Sequence, residues 1–304
     1  MSGDEYLARL EETLKSLVAN LRAKGIDARH LSFGGEGVLP ARPPTVPTDA
    51  RSEFLANRAM GDWAEQRLAE AIERACPEWK VLHYGETNRI PAGDPAFRQT
   101  FLAGIEYTRR FGKRPDLLVF DAGAPVDAGL IMRSEEATEA LVKQAVAAVE
   151  VRSSKFEALT YMAVRERQRG TGRLIGRGTP SFTVKVEDLV VVYRWLERHR
   201  VPESYCQVFF DSVFAINFLD IFALLASGTG FTIEKPAKSQ GKATIMIPIT
   251  SGVQIGRSTE MPKFEAEHRV TGLGRHDAYV VPRGGVFELD PEATRRVLMA
   301  WRQA

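Results

Sequence analysis

The run Leu117-Leu118-Val119-Phe120, within RPDLLVFD, constrains the fold of this chain more than any other feature. It is too short for a buried helix and lacks the apolar-polar alternation of a half-exposed strand. A run of this kind reads as a strand covered on both faces. WKVLHYG (79–85), AVAAVEVRS (145–153) and YCQVFFD (205–211) read as further strands, and helical patterns separate them. The order predicts an α/β fold, a central mixed sheet flanked by helices, with a β-rich C-terminal region.

Leu7, Leu10, Leu14, Leu17 and Leu21 alternate spacings of three and four, which places them on one stripe of a helix over 4–24. Such a stripe packs on its own domain, or forms a dimer seam. FGGEGVLPARPPTVPTDA (33–50) breaks both periodicities and reads as a linker or arm. The segment 52–77 is a strong helix, capped by Ser52 or Asp49 and ended by Pro77. Helices are also expected over 134–144, 155–170 and 186–200. The apolar stretch SVFAINFLDIFALLASG is interrupted by Asn217 and Asp220, so it is read as a buried helix near 213–227 and not as a membrane span. GFTIEK, KATIMIPIT and HDAYVVP form the β-rich region, and DPEATRRVLMAWRQ a last helix.

The net charge of +2 does not announce nucleic acid, so any such claim must rest on local clustering. Cys76 and Cys206 lack metal-type spacing, which suits a reducing cytoplasm. The acidic start MSGDEYLARLEE is unlike a secretory signal. The five histidines show no zinc-type spacing, and no G-x-x-x-x-G-K-[ST] loop occurs.

Three acids stand out: Glu65 in the helix GDWAEQR, Asp116 at the start of RPDLLVF, and Glu150 within AVAAVEVRS. Strand alternation puts Val149 and Val151 on one face and Glu150 with Arg152 on the other. Taken singly, each has an ordinary reading. Asp116 after a proline starts a strand, Glu150 with Arg152 forms an internal ion pair, and Glu65 is a solvated helix residue. Asp116 and Glu150 together suit a divalent cation, since Mg²⁺ favours one or two carboxylates, waters and a phosphate oxygen.

RPDLLVFD followed by VEVRSSKF resembles the PD…(D/E)xK nuclease signature, with Arg152 where that pattern has lysine. With the GDWAE helix, YCQVFFDSVF and EKPAKSQGKATIMIPI, residues 52–265 resemble type II restriction endonucleases, the AccI-like group among them. The resemblance implies a restriction-endonuclease-like core over 51–304, preceded by an N-terminal helix and arm over 1–50. It implies Mg²⁺ held by Asp116 and Glu150, with the Val151 carbonyl as a further ligand and Glu65 at the same cleft. Arginine stays charged, so Arg152 would hold the attacking water or stabilise phosphorane-like charge rather than act as a base. Lys155 is the rival cation, if the chain bends at Ser153-Ser154.

Lys235, Lys238, Lys242 and Arg257 form one stretch of cations free of acids, suited to a phosphate backbone or a solvated hairpin edge. A second cluster, RERQRGTGRLIGRG, includes Arg173 and Arg177. The resemblance thus implies a sequence-specific, Mg²⁺-dependent endonuclease of double-stranded DNA, giving 5′-phosphate and 3′-hydroxyl ends. It further implies a cytoplasmic homodimer, with the leucine stripe as one candidate surface, and a cognate methyltransferase in the same system. A structure-specific repair nuclease and a non-catalytic DNA-binding relative are the alternatives.

Overall fold

The computed structural model describes residues 2–33, 52–85, 97–127, 129, 135–169, 178–235, 243–270, 274 and 276–299. The elements follow in this order: α1 (Gly3–Ala23), α2 (Ser52–Ala75), β1 (Trp79–His83), α3 (Phe97–Phe111), β2 (Leu117–Asp121), α4 (Glu135–Val142), β3 (Ala147–Ser153) and α5 (Ala158–Gln168). Then come β4 (Ser181–Lys185), α6 (Val186–His199), β5 (Glu203–Val208), β6 (Ser212–Asn217), α7 (Phe218–Ser227), β7 (Thr232–Glu234) and β8 (Thr244–Pro248). The last are β9 (Val253–Glu260), β10 (Lys263–Val270), β11 (His276–Arg283), β12 (Val286–Leu289) and α8 (Pro291–Leu298).

A seven-stranded sheet, ordered β1-β2-β3-β5-β6-β9-β12, forms the centre. It is mixed: β3 and β5 pair in parallel, and β1–β2, β2–β3, β5–β6, β6–β9 and β9–β12 in antiparallel fashion. The expected α/β architecture is therefore present. Its strands are apolar on both faces because both are covered. Leu118, Phe120 and Ala148 enter one core layer with residues of α1, α6 and α7, while Leu117, Val119, Val149 and Val151 enter the other with residues of α2 and α8.

One sequence expectation needs correction, and one pair of alternatives is decided. The stretch expected as one helix near 213–227 divides. Ser212 to Asn217 form β6, buried between β5 and β9, and the Asn217 side chain caps α7 by accepting a hydrogen bond from the Leu219 nitrogen at 2.9 Å. The asparagine that looked like an interruption is a helix cap. The leucine stripe of α1 packs on its own domain, the first of its two readings, and not as a dimer seam. Leu7, Leu10, Leu17 and Leu21 are buried in the protomer's own core, and Asn20 donates to the Leu225 and Ala226 carbonyls of α7 at 3.2 and 2.6 Å.

Helix α3 and strands β4, β9, β10 and β12 were not expected. The expected β-rich C-terminal region is present, and its strands divide among three sheets. β9 and β12 extend the central sheet, β7 and β8 join β4 in a three-stranded sheet, and β10 with β11 makes a two-stranded ribbon. The arm predicted over 33–50 lies, beyond Phe33, outside the described residues.

Candidate active site

The antiparallel pair β2–β3 sets Leu117 opposite Val149 and Leu118 opposite Ala148. One step further along this register, Asp116 comes opposite Glu150. Cross-strand partners leave the same face of a sheet about 5 Å apart, so both carboxylates emerge together where β2 begins. The main chain of Asp116 is anchored by its carbonyl, which accepts from the Tyr84 and Gly85 nitrogens at 2.9 and 3.1 Å. Its side chain is anchored too: Oδ2 accepts from the Val151 nitrogen at 2.7 Å. Along β3 the Ala148 and Ser154 nitrogens turn to β5, bonding the Pro202 and Val208 carbonyls. Val151 therefore turns the opposite way, and its carbonyl, sharing the direction of its N–H, faces the Asp116 side.

Glu150 is 2 % exposed. Its Oε1 pairs with Nζ of Lys113 and, at 3.1 Å, with Nη2 of Arg152. Its Oε2 has no hydrogen-bond partner among the described residues. Arg152 is heavily committed: Nη2 lies 2.7 Å from Oδ2 of Asp188, and Nε donates to the Tyr205 hydroxyl at 3.1 Å. That hydroxyl donates in turn to the Thr183 carbonyl. The pairing of β3 with β5 explains the cluster, since Glu150 is opposite Tyr205, and Arg152 opposite Gln207, on one face.

Burial pushes the Asp116 carboxyl well above the usual carboxylate range, and the charges of Glu150 and Glu65 add to this. Burial alone would lower the Lys113 ammonium, but the Glu150 carboxylate raises it above its ordinary value, so it stays charged. Among the described residues no group of three or more His, Cys, Asp or Glu side chains is gathered as a metal-ligand set. The donors that do converge are all oxygens: the Asp116 carboxylate, the unpartnered Glu150 Oε2 and, by strand direction, the Val151 carbonyl. This set fits a hard divalent cation such as Mg²⁺, which takes few carboxylates and keeps waters.

The other predicted site residues lie as follows. Glu65 projects from α2, with Oε2 3.8 Å from Nδ1 of His83, close enough to Asp116 to affect its ionisation. Lys155 stands exposed beyond the end of β3. Lys235 donates to the Lys24 and Gly25 carbonyls at 3.2 and 2.7 Å, closing the C-terminal end of α1. Arg257 lies in a groove with Glu288, Asp290 and Glu292. Arg173, Arg177, Lys238 and Lys242 fall outside the described residues.

Sequence reasoning missed Lys113. It stands three residues before Asp116 in GKRPD, whereas the nuclease signature marks a cation that follows Glu150. Also missed was a cleft of about 1030 Å³ beyond Arg152, whose lining includes Ser153, Ser154, Thr179, Ser181, Gln207 and Thr232. Its lining also takes in Gly178 and Glu234. A spacing pattern could not have revealed it, because its walls come from β3, β4, β5, β7 and β8.

The sequence matches the family model "AccI restriction endonuclease" over residues 23–168 and 163–302, nearly the whole chain. The chain belongs to the AccI restriction endonuclease family. The endonuclease is accordingly a type II site-specific deoxyribonuclease, acting on double-stranded DNA. No curated protein and no solved structure matches it. Among the described residues of this AccI-family enzyme, no helix is long and apolar enough to cross a membrane.

Proposed function

We propose that this endonuclease hydrolyses DNA with Mg²⁺ held by Asp116, Glu150 and the Val151 carbonyl, leaving 5′-phosphate and 3′-hydroxyl ends. The observation that carries the reading is the pairing of two buried-face carboxylates at the start of β2, with Glu150 Oε2 unpartnered beside them. A bound Mg²⁺ supplies positive charge for the phosphate oxygens and lowers the pKa of a coordinated water.

The chain's own groups orient the rest. The Val151 nitrogen aims Asp116, and Arg152 aims Glu150 while itself braced by Asp188 and Tyr205. Glu65 lies within electrostatic reach of Asp116 and reaches the site through water. In the reaction the water oxygen bonds to phosphorus as the bond from phosphorus to the 3′-oxygen breaks. The water gives up a proton to solvent, and the 3′-oxygen takes one up.

The DNA backbone follows the hydroxyl-lined cleft beyond Arg152, with Arg173, Arg177, Lys238 and Lys242 as further cations for its phosphates. Cutting both strands of a symmetric target calls for two such sites, hence a twofold homodimer. A cytoplasmic location beside a cognate methyltransferase completes the reading.

Digestion of phage-genome DNA with Mg²⁺, followed by end sequencing, tests it. Discrete fragments with 5′-phosphate ends are expected, lost on addition of EDTA and in Asp116→Ala and Glu150→Ala, which still bind DNA. Full cleavage by either variant would overturn the site.

A further inference from the structure

We propose that Lys113, rather than Arg152 or Lys155, is the cation that meets the scissile phosphate. The proposal deepens the nuclease reading above and rests on it.

Three observations carry it. First, the Lys113 ammonium shares Glu150 Oε1 with Arg152, and its side chain is partly open to solvent, 26 % exposed against 30 % for Arg152. It therefore sits beside the carboxylate without being sealed from solvent. Second, Arg152 is held by further partners, and Lys155 is not among the ion-pair partners of Glu150. Nη2 of Arg152 serves Asp188 and Glu150, and its Nε serves Tyr205, whose hydroxyl is bound to the Thr183 carbonyl. A planar guanidinium held at both ends cannot turn without breaking that chain. Lys155 sits exposed beyond the end of β3.

Third, the backbone of Lys113 is fixed although its side chain is flexible. Gly112 closes α3 at φ +89°, a conformation that favours glycine. A Cβ there would lie 2.3 Å from the Trp195 nitrogen and 2.6 Å from the Val191 carbonyl, so Gly112 is pressed on α6. The next residue continues the contact, the Lys113 nitrogen donating to the Val191 carbonyl at 2.9 Å. A rigid base carrying a flexible four-carbon stem with three rotatable donors suits a cation that must change partners.

Glu150 has one carboxylate for two cations, Lys113 and Arg152. Once that carboxylate is shared with a divalent ion, like charges crowd together and repel. Arg152 retains Asp188 as a counter-charge. Lys113 is free to leave, and an incoming phosphate oxygen offers its ammonium a new anion. There it stabilises the negative charge that builds on the phosphate oxygens as water attacks. Lys113 remains protonated throughout and removes no proton.

The test uses the full chain with Lys113→Gln, Lys113→Arg and the wild type. Mg²⁺ binding to DNA-free protein is measured by calorimetry, and single-turnover cleavage at saturating Mg²⁺. The Gln variant is expected to bind Mg²⁺ at least severalfold more tightly, because no ammonium competes for Glu150, yet to cleave at least 100-fold more slowly. The Arg variant keeps the charge and is expected to recover at least a tenth of wild-type cleavage. Thermal melting verifies the fold. If Lys113→Gln is unfolded, Lys113→Arg decides alone, and cleavage below a hundredth of wild type overturns the proposal. A Gln variant that cleaves at the wild-type rate overturns it. So does one that loses Mg²⁺ binding together with cleavage, since Lys113 would then only shape Glu150. A wild-type protein that binds Mg²⁺ but cuts no DNA instead brings down the nuclease reading itself, and this proposal with it.

Discussion

Oδ2 of Asp116 accepts a hydrogen bond from the backbone nitrogen of Val151 at 2.7 Å. The residue that starts one strand is thereby tied to the next strand, beside the carboxylate it faces. The arrangement holds two acids together in a poorly solvated place, and the fold bears the electrostatic cost.

That cost is measurable. The Asp116 carboxyl is raised by burial and by Glu150, so in the metal-free protein it opposes folding increasingly as pH rises above 3.8. Asp116→Asn should raise the metal-free melting temperature at pH 8, on the order of 2 °C for each kcal/mol relieved. Added Mg²⁺ should stabilise the wild type and leave the variant unchanged. Differential scanning calorimetry with and without Mg²⁺ reads both effects.

Tyr205→Phe removes the hydroxyl that joins Arg152 to the Thr183 carbonyl. A buried donor left without its partner costs about 1–3 kcal/mol. Urea unfolding should show a loss in that range. Arg152 would then hold Glu150 less firmly, and kcat should fall roughly tenfold, about 1.4 kcal/mol, with KM for DNA little changed. An unchanged kcat would separate Arg152 from the active site.

Gly112→Ala forces a Cβ against the backbone of α6 at a positive φ. The expected destabilisation exceeds about 2 kcal/mol, measured by urea titration. Neighbouring Gly123, with open space around its Cβ position, should accept alanine with a change within about 0.5 kcal/mol.

His199 is buried against the Trp195 ring, 4.9 Å between centroids. Burial and the Arg198 charge push its pKa down to about 4 from 6.5. A lowered folded-state value means the neutral form is favoured: its contribution is present above pH 6.5 and is lost as pH falls to about 4. The gap corresponds to at most about 3 kcal/mol. Melting curves of His199→Gln between pH 7 and 4 should show a flatter slope than wild type.

Glu203 presents the opposite sign. It is fully buried, both its carboxylate oxygens lack partners among the described residues, and burial raises it well above 4.5. Its contribution is present below pH 4.5 and lost as pH rises toward its folded value. Glu203→Gln should therefore stabilise the protein near pH 8 and leave it unchanged near pH 4, by the same melts.

DNA binding should distinguish the basic residues by salt dependence. Each phosphate contact removed lowers the slope of log K against log salt by about 1. Lys238→Ala with Lys242→Ala should thus lower it by about 2, whereas Arg257→Ala, in a groove that already holds three carboxylates, should leave it unchanged. Fluorescence anisotropy between 50 and 200 mM salt, roughly the range over which such contacts weaken, reads the slopes.

What the sequence determined by itself was local. Apolar runs marked β2 and β3, and alternation set Glu150 and Arg152 on the face opposite Val149 and Val151, because side-chain direction in a strand follows from backbone geometry alone. The GDWAE helix and the PD order were legible for the same reason. Tertiary structure decided what depends on segments distant in sequence. The register of β2 on β3 put Asp116 opposite Glu150. The packing of Gly112 on α6 brought Lys113 to Glu150, a pairing hidden by a separation of 37 positions in sequence. The burial of the α1 stripe on α7 and the division of 212–227 into strand and helix were likewise settled by neighbours. Charge pairing and burial belong to the assembled surroundings of a residue, and a linear pattern carries only the part of those surroundings that its own backbone supplies.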